Sequence, residues 1–272
     1  MNQHKVILTR HGVPVMFDSA TGEVMHPEVG PLVEVNRLYI SPSRLAARLC
    51  SAQREPLVVL DVGLGAGSNA IAAWRTAREA SGRTRQLELI SIDRTVGALE
   101  LALAPAHAEA FGFDADAASA ARTLLAEQRH TSPHTDWRLQ LGDIVSELDR
   151  TAPASVDVVF WDPYSPRADP ALWSARAFSA LRRVCQAGAT VHTYSGATAT
   201  RTALLLAGFS VGYGPSAGEK QKRSTVAAVH HADLTQPLDR GWLQALRPSF
   251  GSWPADAPSD AMTRLQQHPQ FG

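Results

Sequence analysis

Short, mainly apolar runs alternate with longer stretches of helical composition along most of this chain. The clearest run, Pro56 to Leu60, is apolar at consecutive positions, which is typical of a strand buried on both faces of a parallel sheet. Seven strands are predicted in this way, at 56–60, 87–92, 137–141, 156–161, 189–194, 209–213 and 224–230.

Helical composition fills most of the segments between these strands. Helices are predicted at 43–52, 68–80, twice within 96–128, at 174–185 and at 198–207. The last two strands follow each other without a helix, so we expect an antiparallel hairpin at one edge of the sheet. The expected fold class is therefore α/β, with a seven-stranded, mostly parallel sheet, an antiparallel terminal hairpin and helices on both faces.

Two extensions flank this core in the sequence. Residues 1–55 contain short β-favouring runs broken by glycine and proline, which predict an N-terminal β-hairpin extension followed by a helix. Residues 56–231 hold the alternating core, and residues 232–272 form a proline-rich tail with aromatic and aliphatic residues that can pack on the domain. We therefore expect one large domain with two extensions.

Composition and charge restrict the possible functions. The 272 residues carry no net charge, which argues against a uniformly basic surface for nucleic acid. The segment from Pro163 to Arg223 has eight basic residues against two acidic ones. This excess reflects either a random surface composition or a positive face beside the active site. With no apolar leader, no run long enough to span a membrane and no cysteine–histidine cluster, a cytoplasmic protein without a metal site is expected.

A glycine-rich turn, Asp61-Val62-Gly63-Leu64-Gly65-Ala66-Gly67, follows the first core strand. Glycines at the end of a buried strand let the backbone turn tightly and approach a ligand without interference from a Cβ atom. The spacing departs from the dinucleotide fingerprint, and Asp61 suits a cofactor whose amino-acid end carries an ammonium group. We therefore expect Asp61, Gly63, Gly65 and Gly67 to bind a cofactor, the alternative being a tight turn without a ligand.

Two further aspartates end neighbouring strands of the predicted sheet. Asp93 follows the second strand, where a carboxylate can accept hydrogen bonds from both hydroxyls of a ribose. Asp143 follows the third strand, and its carboxylate can accept a hydrogen bond from an adenine amino group. Either residue can instead serve as the N-cap of a helix.

The fourth strand runs into Asp162-Pro163-Tyr164-Ser165, at the sheet edge where open α/β proteins bind ligands. This segment resembles the Asp/Asn-Pro-Pro-Tyr/Phe loop of amino-group methyltransferases, with one proline fewer. The resemblance implies that Asp162, Pro163 and Tyr164 are catalytic: the carboxylate and a backbone carbonyl accept hydrogen bonds from a substrate amine, and the aromatic ring packs against the substrate. The alternative is a proline turn without a catalytic role.

Longer stretches of the chain resemble the methyltransferase domain of the MnmC family. The resemblance rests on 61–74, on 160–178, on 193–209 and on Met25-His26-Pro27, within roughly residues 20–230. It implies a Rossmann-like class I methyltransferase that uses S-adenosyl-L-methionine, releases S-adenosyl-L-homocysteine and binds the cofactor at Asn69 as well as at the glycine turn. It also implies methylation of the aminomethyl group on the wobble uridine of tRNA.

The resemblance extends to partners. Some members of the family carry a fused flavin-dependent oxidase domain, and this chain resembles the form without it, so a separate enzyme is expected to supply the aminomethyl group. We expect Arg167, Lys220, Lys222 and Arg223 to hold tRNA phosphates. The neutral overall charge leaves open a methyltransferase of a small-molecule or peptide amine. An aminopropyltransferase-like or non-catalytic nucleoside-binding protein is a second alternative.

Overall fold

The computed structural model describes residues 3–25, 30–216, 223–247 and 251–272. These residues form two sheets. The strands are β1 (His4–Leu8), β2 (Pro14–Asp18), β3 (Glu23–Val24), β4 (Leu57–Val62), β5 (Leu87–Asp93), β6 (Arg129–Thr131), β7 (Thr135–Leu141), β8 (Val156–Trp161), β9 (Cys185–Thr193), β10 (Ser210–Tyr213) and β11 (Thr225–Ala228).

The central sheet has the strand order β10-β11-β9-β8-β4-β5-β7-β6 within the described ranges. Strands β7, β5, β4, β8 and β9 are parallel, whereas β11 runs antiparallel to both β9 and β10. The predicted α/β class and the antiparallel hairpin at the edge are therefore confirmed. The chain adds strands on one side of β4 and then on the other, so a crevice forms beside β4 and β8 at the carboxyl ends of the strands.

The predicted number of seven strands is wrong for the part of the chain that the structure describes, because β6 adds an eighth. It pairs antiparallel with β7 at the opposite edge of the sheet from β10. The three residues Arg129-His130-Thr131 are polar, so no apolar alternation marks them as a strand. An ion pair holds them, with Arg129 Nε 2.8 Å from Asp136 Oδ1 on β7.

Helices cover both faces of the central sheet. They are α1 (Pro31–Val35), α2 (Ser41–Ser43), α3 (Leu45–Leu49), α4 (Ser68–Glu79), α5 (Gly97–Ala102), α6 (Ala115–Glu127), α7 (Ile144–Arg150), α8 (Ala175–Val184), α9 (Thr198–Leu206), α10 (Arg240–Ala245) and α11 (Ala261–Gln266). One hydrophobic core joins α4, α5 and α6 to one face of the sheet. A second core joins α7, α8 and α9 to the other face.

The helix predicted at 43–52 differs from the observed structure in its bounds. Helical structure already begins at Pro31 and passes through a π-helical turn, Asn36–Ile40, before it reaches Ser43. Arg44 then adopts a left-handed conformation with φ 54°, and α3 ends at Leu49. Pro42 lies in α2, inside this already helical segment rather than at its start.

The two extensions pack against the core. Strands β1, β2 and β3 form a separate antiparallel sheet, which is called the N-terminal sheet below. In the tail, the Gln270 amide exchanges hydrogen bonds of 2.7 Å with both the N–H and the carbonyl of Val211 on β10. Among the helices described here, none has the length and apolar character needed to cross a membrane.

Candidate active site

A cavity of about 670 Å³ opens at the carboxyl ends of β4, β5 and β8, in the crevice where open α/β sheets bind ligands. This volume is in the range of small-molecule sites. The wall of the cavity includes these residues that the sequence singled out: Gly63, Gly65, Asn69, Asp93, Asp162, Pro163, Tyr164 and Arg167. The structure thus brings most of the cofactor and acceptor candidates together around one cavity, whereas Asp61, Gly67 and Asp143 are not among its lining residues.

The glycine turn after β4 lies directly against the segment Asp162–Ser165, which is called the acceptor loop below. Gly63 has φ +88°, and a Cβ atom on it would lie only 2.6 Å from the carbonyl oxygen of Asp162. No larger residue fits at this place without moving backbone atoms. Gly63 therefore allows a backbone-to-backbone approach between the cofactor turn and the acceptor loop.

Asp93, at the end of β5, supports the glycine turn. Its Oδ2 accepts a hydrogen bond of 3.0 Å from the backbone N–H of Gly65, and its Oδ1 accepts from the N–H groups of Arg94 and Thr95. Burial raises the pKa of Asp93, and the same backbone N–H donors oppose that rise. A carboxylate has about four acceptor positions, so one or more remain for ligand hydroxyls.

The carboxylate of Asp162 is fixed from the side of the glycine turn. Asn69, in the first turn of α4, donates from Nδ2 to Asp162 Oδ2 at 2.7 Å. The other amide atom, Asn69 Oδ1, and the neighbouring Ser68 hydroxyl oxygen are buried without a hydrogen-bond partner among the described residues. Both residues line the cavity, so their free polar atoms can serve a ligand.

Tyr39 joins this wall although the sequence did not single it out. It lies in the π-helical turn Asn36–Ile40, is fully buried and lines the cavity. Burial and then the nearby Asp162 carboxylate raise the pKa of Tyr39 well above its ordinary value, so its hydroxyl stays protonated. Turns of this kind are frequent at functional sites, but the sequence carries no local signal for one.

The N-terminal sheet supplies further residues that the sequence analysis missed. Asp18 and Glu23 line the cavity, and Glu23 bonds to Ser165, which is 142 residues away in the chain. His4 Nε2 lies 3.4 Å from the hydroxyl of Tyr164. Residues that lie so far apart in the chain form no motif with a recognisable spacing, so the sequence does not reveal these contacts.

Asp61 lies beneath the glycine turn rather than on the cavity wall. Its carboxyl group is fully buried and accepts a hydrogen bond of 2.8 Å from the Ser91 hydroxyl, which itself accepts one from the Trp137 indole at 3.0 Å. Burial, with help from the charges of Asp162 and Asp93, raises the pKa of Asp61 to about 8. Its proposed role toward the cofactor ammonium stays a prediction.

This buried acid predicts a pH dependence of stability. The folded protein keeps the proton on Asp61 up to about pH 8, whereas the unfolded chain releases it near 3.8, so this group lowers the unfolding free energy as the pH rises through that window. Asp61→Asn does not titrate. We therefore expect the Tm of Asp61→Asn, minus that of the wild type, to grow between about pH 4 and pH 8 and then to level off.

Thermal unfolding followed by circular dichroism at several pH values measures this difference. Asp149→Asn on the exposed part of α7 is the control, because it makes the same substitution at the surface rather than in the core. A Tm difference for Asp61→Asn that does not change with pH would contradict the assignment.

Asp143 is placed as the N-cap of α7. Its Oδ1 accepts from the Ser146 N–H at 3.0 Å, and its Oδ2 lies 3.2 Å from Arg94 Nη2. Arg94 also pairs with Asp169 at 2.8 Å, so one guanidinium joins two loops at the mouth of the cavity. The alternative function of Asp143 as a helix cap is thus present in the structure, and its contact with adenine stays a prediction.

The four residues predicted to hold phosphates have different surroundings. Arg167 is exposed and lines the mouth of the cavity. Arg223 lies at the edge of the sheet, where its guanidinium stacks 4.7 Å from the Tyr213 ring and donates to the Gly214 carbonyl at 3.2 Å. Lys220 and Lys222 fall outside the described residues.

Acidic groups outnumber basic ones on the described part of the cavity wall. The carboxylates are Asp18, Glu23, Glu34, Asp93, Asp162 and Asp169, and the guanidinium groups are Arg94 and Arg167. An excess of carboxylates in a partly closed site favours cationic ligands. Within the described residues, no group of three or more histidine, cysteine or carboxylate side chains is arranged to hold a metal ion.

Comparison with known proteins identifies the family. The model of a family described as S-adenosyl-L-methionine-dependent methyltransferase matches residues 116–231. The tRNA 5-methylaminomethyl-2-thiouridine biosynthesis bifunctional protein MnmC of Methylibium petroleiphilum is 32% identical over 237 residues, which cover 85% of this chain and 35% of that protein. The protein of the same name from an Azoarcus species is 32% identical over 215 residues, covering 76% of this chain and 33% of that protein.

The chain thus spans about a third of the length of these curated relatives. Among solved structures, the crystal structure of MNMC2 from Aquifex aeolicus superposes with a TM-score of 0.75 at 20% identity, covering 100% of this chain and 87% of that one. This likeness confirms the predicted fold. The resemblance to MnmC methyltransferase domains is also confirmed, and residues 116–231 match the family of S-adenosyl-L-methionine-dependent methyltransferases.

Proposed function

We propose that this protein transfers a methyl group from S-adenosyl-L-methionine to the aminomethyl nitrogen on the wobble uridine of tRNA. One observation carries the proposal: the Asp162 carboxylate, fixed by Asn69, lies on the cavity wall directly beside the glycine turn. The printed names of the MnmC relatives support a tRNA nucleoside as the acceptor. The same relatives do not favour a small-molecule amine or an aminopropyl transfer.

The residues present fit the cofactor of the family. Asp93 has an acceptor position left on Oδ2 for a ribose hydroxyl, and the unpartnered polar atoms of Ser68 and Asn69 fit the amino-acid end. Asp143 is kept as the candidate for the adenine amino group. The excess of carboxylates suits a ligand with a sulfonium and an ammonium group. When bound, the cofactor supplies a methyl group attached to a positively charged sulphur. The neutral thioether that remains after the transfer is an excellent leaving group.

The acceptor loop orients the amine. Asp162 accepts a hydrogen bond from the amine N–H and so aims the nitrogen lone pair, while the ring of Tyr164 packs against the base. The carbonyl of Pro163 already accepts a bond of 3.1 Å from the Tyr194 hydroxyl and keeps a second lone pair for the amine. Holding two reactants in line in this way can supply roughly 7–11 kcal/mol of the barrier reduction.

The test is a methylation assay on tRNA that carries the aminomethyl nucleoside. We expect labelled S-adenosyl-L-methionine to transfer its methyl group to the wobble uridine, as detected by mass spectrometry of digested nucleosides. Methylation of free amines with none on tRNA would favour the small-molecule alternative. Equal calorimetric affinity for S-adenosyl-L-methionine and its decarboxylated form, without methyl transfer, would favour the aminopropyltransferase-like or non-catalytic alternative.

The tRNA proposal implies contacts to phosphates at the cavity mouth. Arg167→Glu is expected to weaken tRNA binding and to reduce the slope of log affinity against log salt by about one, because one phosphate contact is lost. Filter binding at several salt concentrations measures the slope. Arg54→Glu is the control. Arg54 is exposed and lies just before β4, at the amino ends of the strands, whereas the cavity opens at their carboxyl ends. An unchanged slope in Arg167→Glu would remove Arg167 from the tRNA contact.

The proposed substrate has two consequences outside this chain. We propose a separate modification enzyme as the source of the aminomethyl group. A tRNA substrate also implies that the reaction takes place in the cytoplasm.

A further inference from the structure

The N-terminal sheet forms one wall of the cavity. Its lining residues are Gln3, His4, Asp18, Ala20, Thr21, Gly22, Glu23, Val24 and Met25. The sheet also reaches the cofactor turn, because a Cβ atom on Gly65 would lie 3.2 Å from the sulphur of Met25. An element outside the alternating core thus contacts both the glycine turn and the acceptor loop.

Glu23 binds the acceptor loop with both carboxylate oxygens. Oε2 accepts from the backbone N–H of Ser165 at 2.9 Å, and Oε1 accepts from the hydroxyl of the same residue. Ser165 directly follows Asp162-Pro163-Tyr164. Two bonds from one carboxylate to one residue limit both its displacement and its rotation, which a single bond does not.

Backbone bonds hold the two ends of this loop: the Asp162 N–H donates to the Val62 carbonyl at 2.9 Å, and the Ser165 carbonyl accepts from the N–H groups of Ala168 and Asp169 at 2.9 Å. Side chains from distant segments hold the backbone between these ends. The contacts are Tyr194 hydroxyl to Pro163 carbonyl at 3.1 Å, Trp173 indole to Tyr164 carbonyl at 2.8 Å, and Glu23 carboxylate to Ser165 N–H at 2.9 Å. Pro163 has no N–H to contribute. Segments held by few bonds open readily, so each of these side chains matters for the loop conformation.

The same sheet also restrains the tyrosine ring of the loop. The hydroxyl of Tyr164 lies 3.4 Å from His4 Nε2 on β1. Asp18 at the end of β2 is fully buried and accepts from the Ala20 N–H at 2.8 Å. Burial acts to raise the pKa of Asp18, but hydrogen bonds from Tyr164, Ala20 and Thr21 bring it below its ordinary value. Tyr164 and Ser165 therefore both contact residues of the N-terminal sheet.

We infer that Glu23 is a positioning residue for methyl transfer: through Ser165 it holds Asp162 and Tyr164 at the geometry in which the acceptor amine meets the methyl donor. This inference rests on the proposed function, since it assigns Glu23 to the same acceptor loop. Both carboxylate oxygens of Glu23 are engaged by Ser165, so Glu23 acts on the acceptor loop through this residue. Its removal should affect turnover rather than binding of the cofactor.

The test compares Glu23→Ala with Glu23→Gln. Glu23→Ala removes both bonds, and we expect kcat to fall about 10- to 100-fold, because a loop displaced by about 1 Å misaligns the amine. The calorimetric Kd for S-adenosyl-L-methionine should stay within about threefold of wild type. Glu23→Gln retains an acceptor for the N–H and a donor for the hydroxyl oxygen of Ser165, so it should recover most of the lost kcat.

Hydrogen exchange of the peptide that contains Ser165 gives a readout independent of substrate. Glu23→Ala should accelerate its exchange, whereas Glu23→Gln and the exposed control Glu127→Ala should not. A kcat for Glu23→Ala within twofold of wild type, or exchange unchanged from wild type, would overturn the inference. If the wild-type protein does not methylate tRNA, the proposed function fails, and hydrogen exchange alone then decides whether Glu23 holds the loop.

Discussion

Replacing Asp162 with alanine is expected to lower kcat for methyl transfer by about 100-fold or more. The variant retains the glycine turn and Asp93, so the Kd for S-adenosyl-L-methionine should stay within about threefold of wild type. The fall in kcat is expected because Asp162 is the carboxylate on the cavity wall that Asn69 fixes beside the cofactor turn. Without it, the amine keeps only the Pro163 carbonyl as an acceptor on the loop, and its lone pair is no longer aimed well at the methyl group.

Single-turnover methylation with saturating cofactor measures this effect separately from binding, which calorimetry reports. Asp162→Asn keeps one acceptor oxygen and should lie between the wild type and Asp162→Ala. Asp149→Ala, on the exposed part of α7, is the matched control. Near-normal turnover of Asp162→Ala with intact cofactor binding would remove Asp162 from the catalytic role.

The parts of the site that the sequence predicted share one property. The glycine turn, Asp93 and the acceptor loop each directly follow an apolar strand, and the carboxyl ends of parallel strands meet at one edge of the sheet. A local pattern of strand and turn therefore places them near each other without any knowledge of long-range contacts. The same local pattern placed Asp143 at a strand end, but in the structure its side chain caps α7.

The parts that escaped prediction depend on contacts between distant segments. The pairing of Glu23 with Ser165 and the approach of Tyr39 to Asp162 join the first forty residues to a loop after β8. Neither Glu23 nor Tyr39 belongs to a motif, and a lone carboxylate or tyrosine has many uses in a protein. The strand β6 escaped for a related reason, since its partner β7 rather than its own polar sequence defines it.

Replacing Asp93 with alanine is expected to weaken S-adenosyl-L-methionine binding by about 100-fold or more, as measured by calorimetry. A hydrogen bond from a ribose hydroxyl to this charged acceptor contributes about 1.5–3 kcal/mol, and a 100-fold change in affinity corresponds to roughly 2.7 kcal/mol. The loss includes a second effect, because the Gly65 N–H also loses its acceptor and the turn is less well held.

A double-mutant cycle separates the ribose contact from the turn. Wild type and Asp93→Ala are each titrated with S-adenosyl-L-homocysteine and with its 2′-deoxy analogue. If Asp93 binds the ribose, loss of the 2′-hydroxyl weakens binding to the wild type and has little further effect on Asp93→Ala. Equal losses in both proteins would mean that Asp93 acts on the cofactor only by supporting the Gly65 turn, and a Kd of Asp93→Ala within threefold of wild type would exclude both roles.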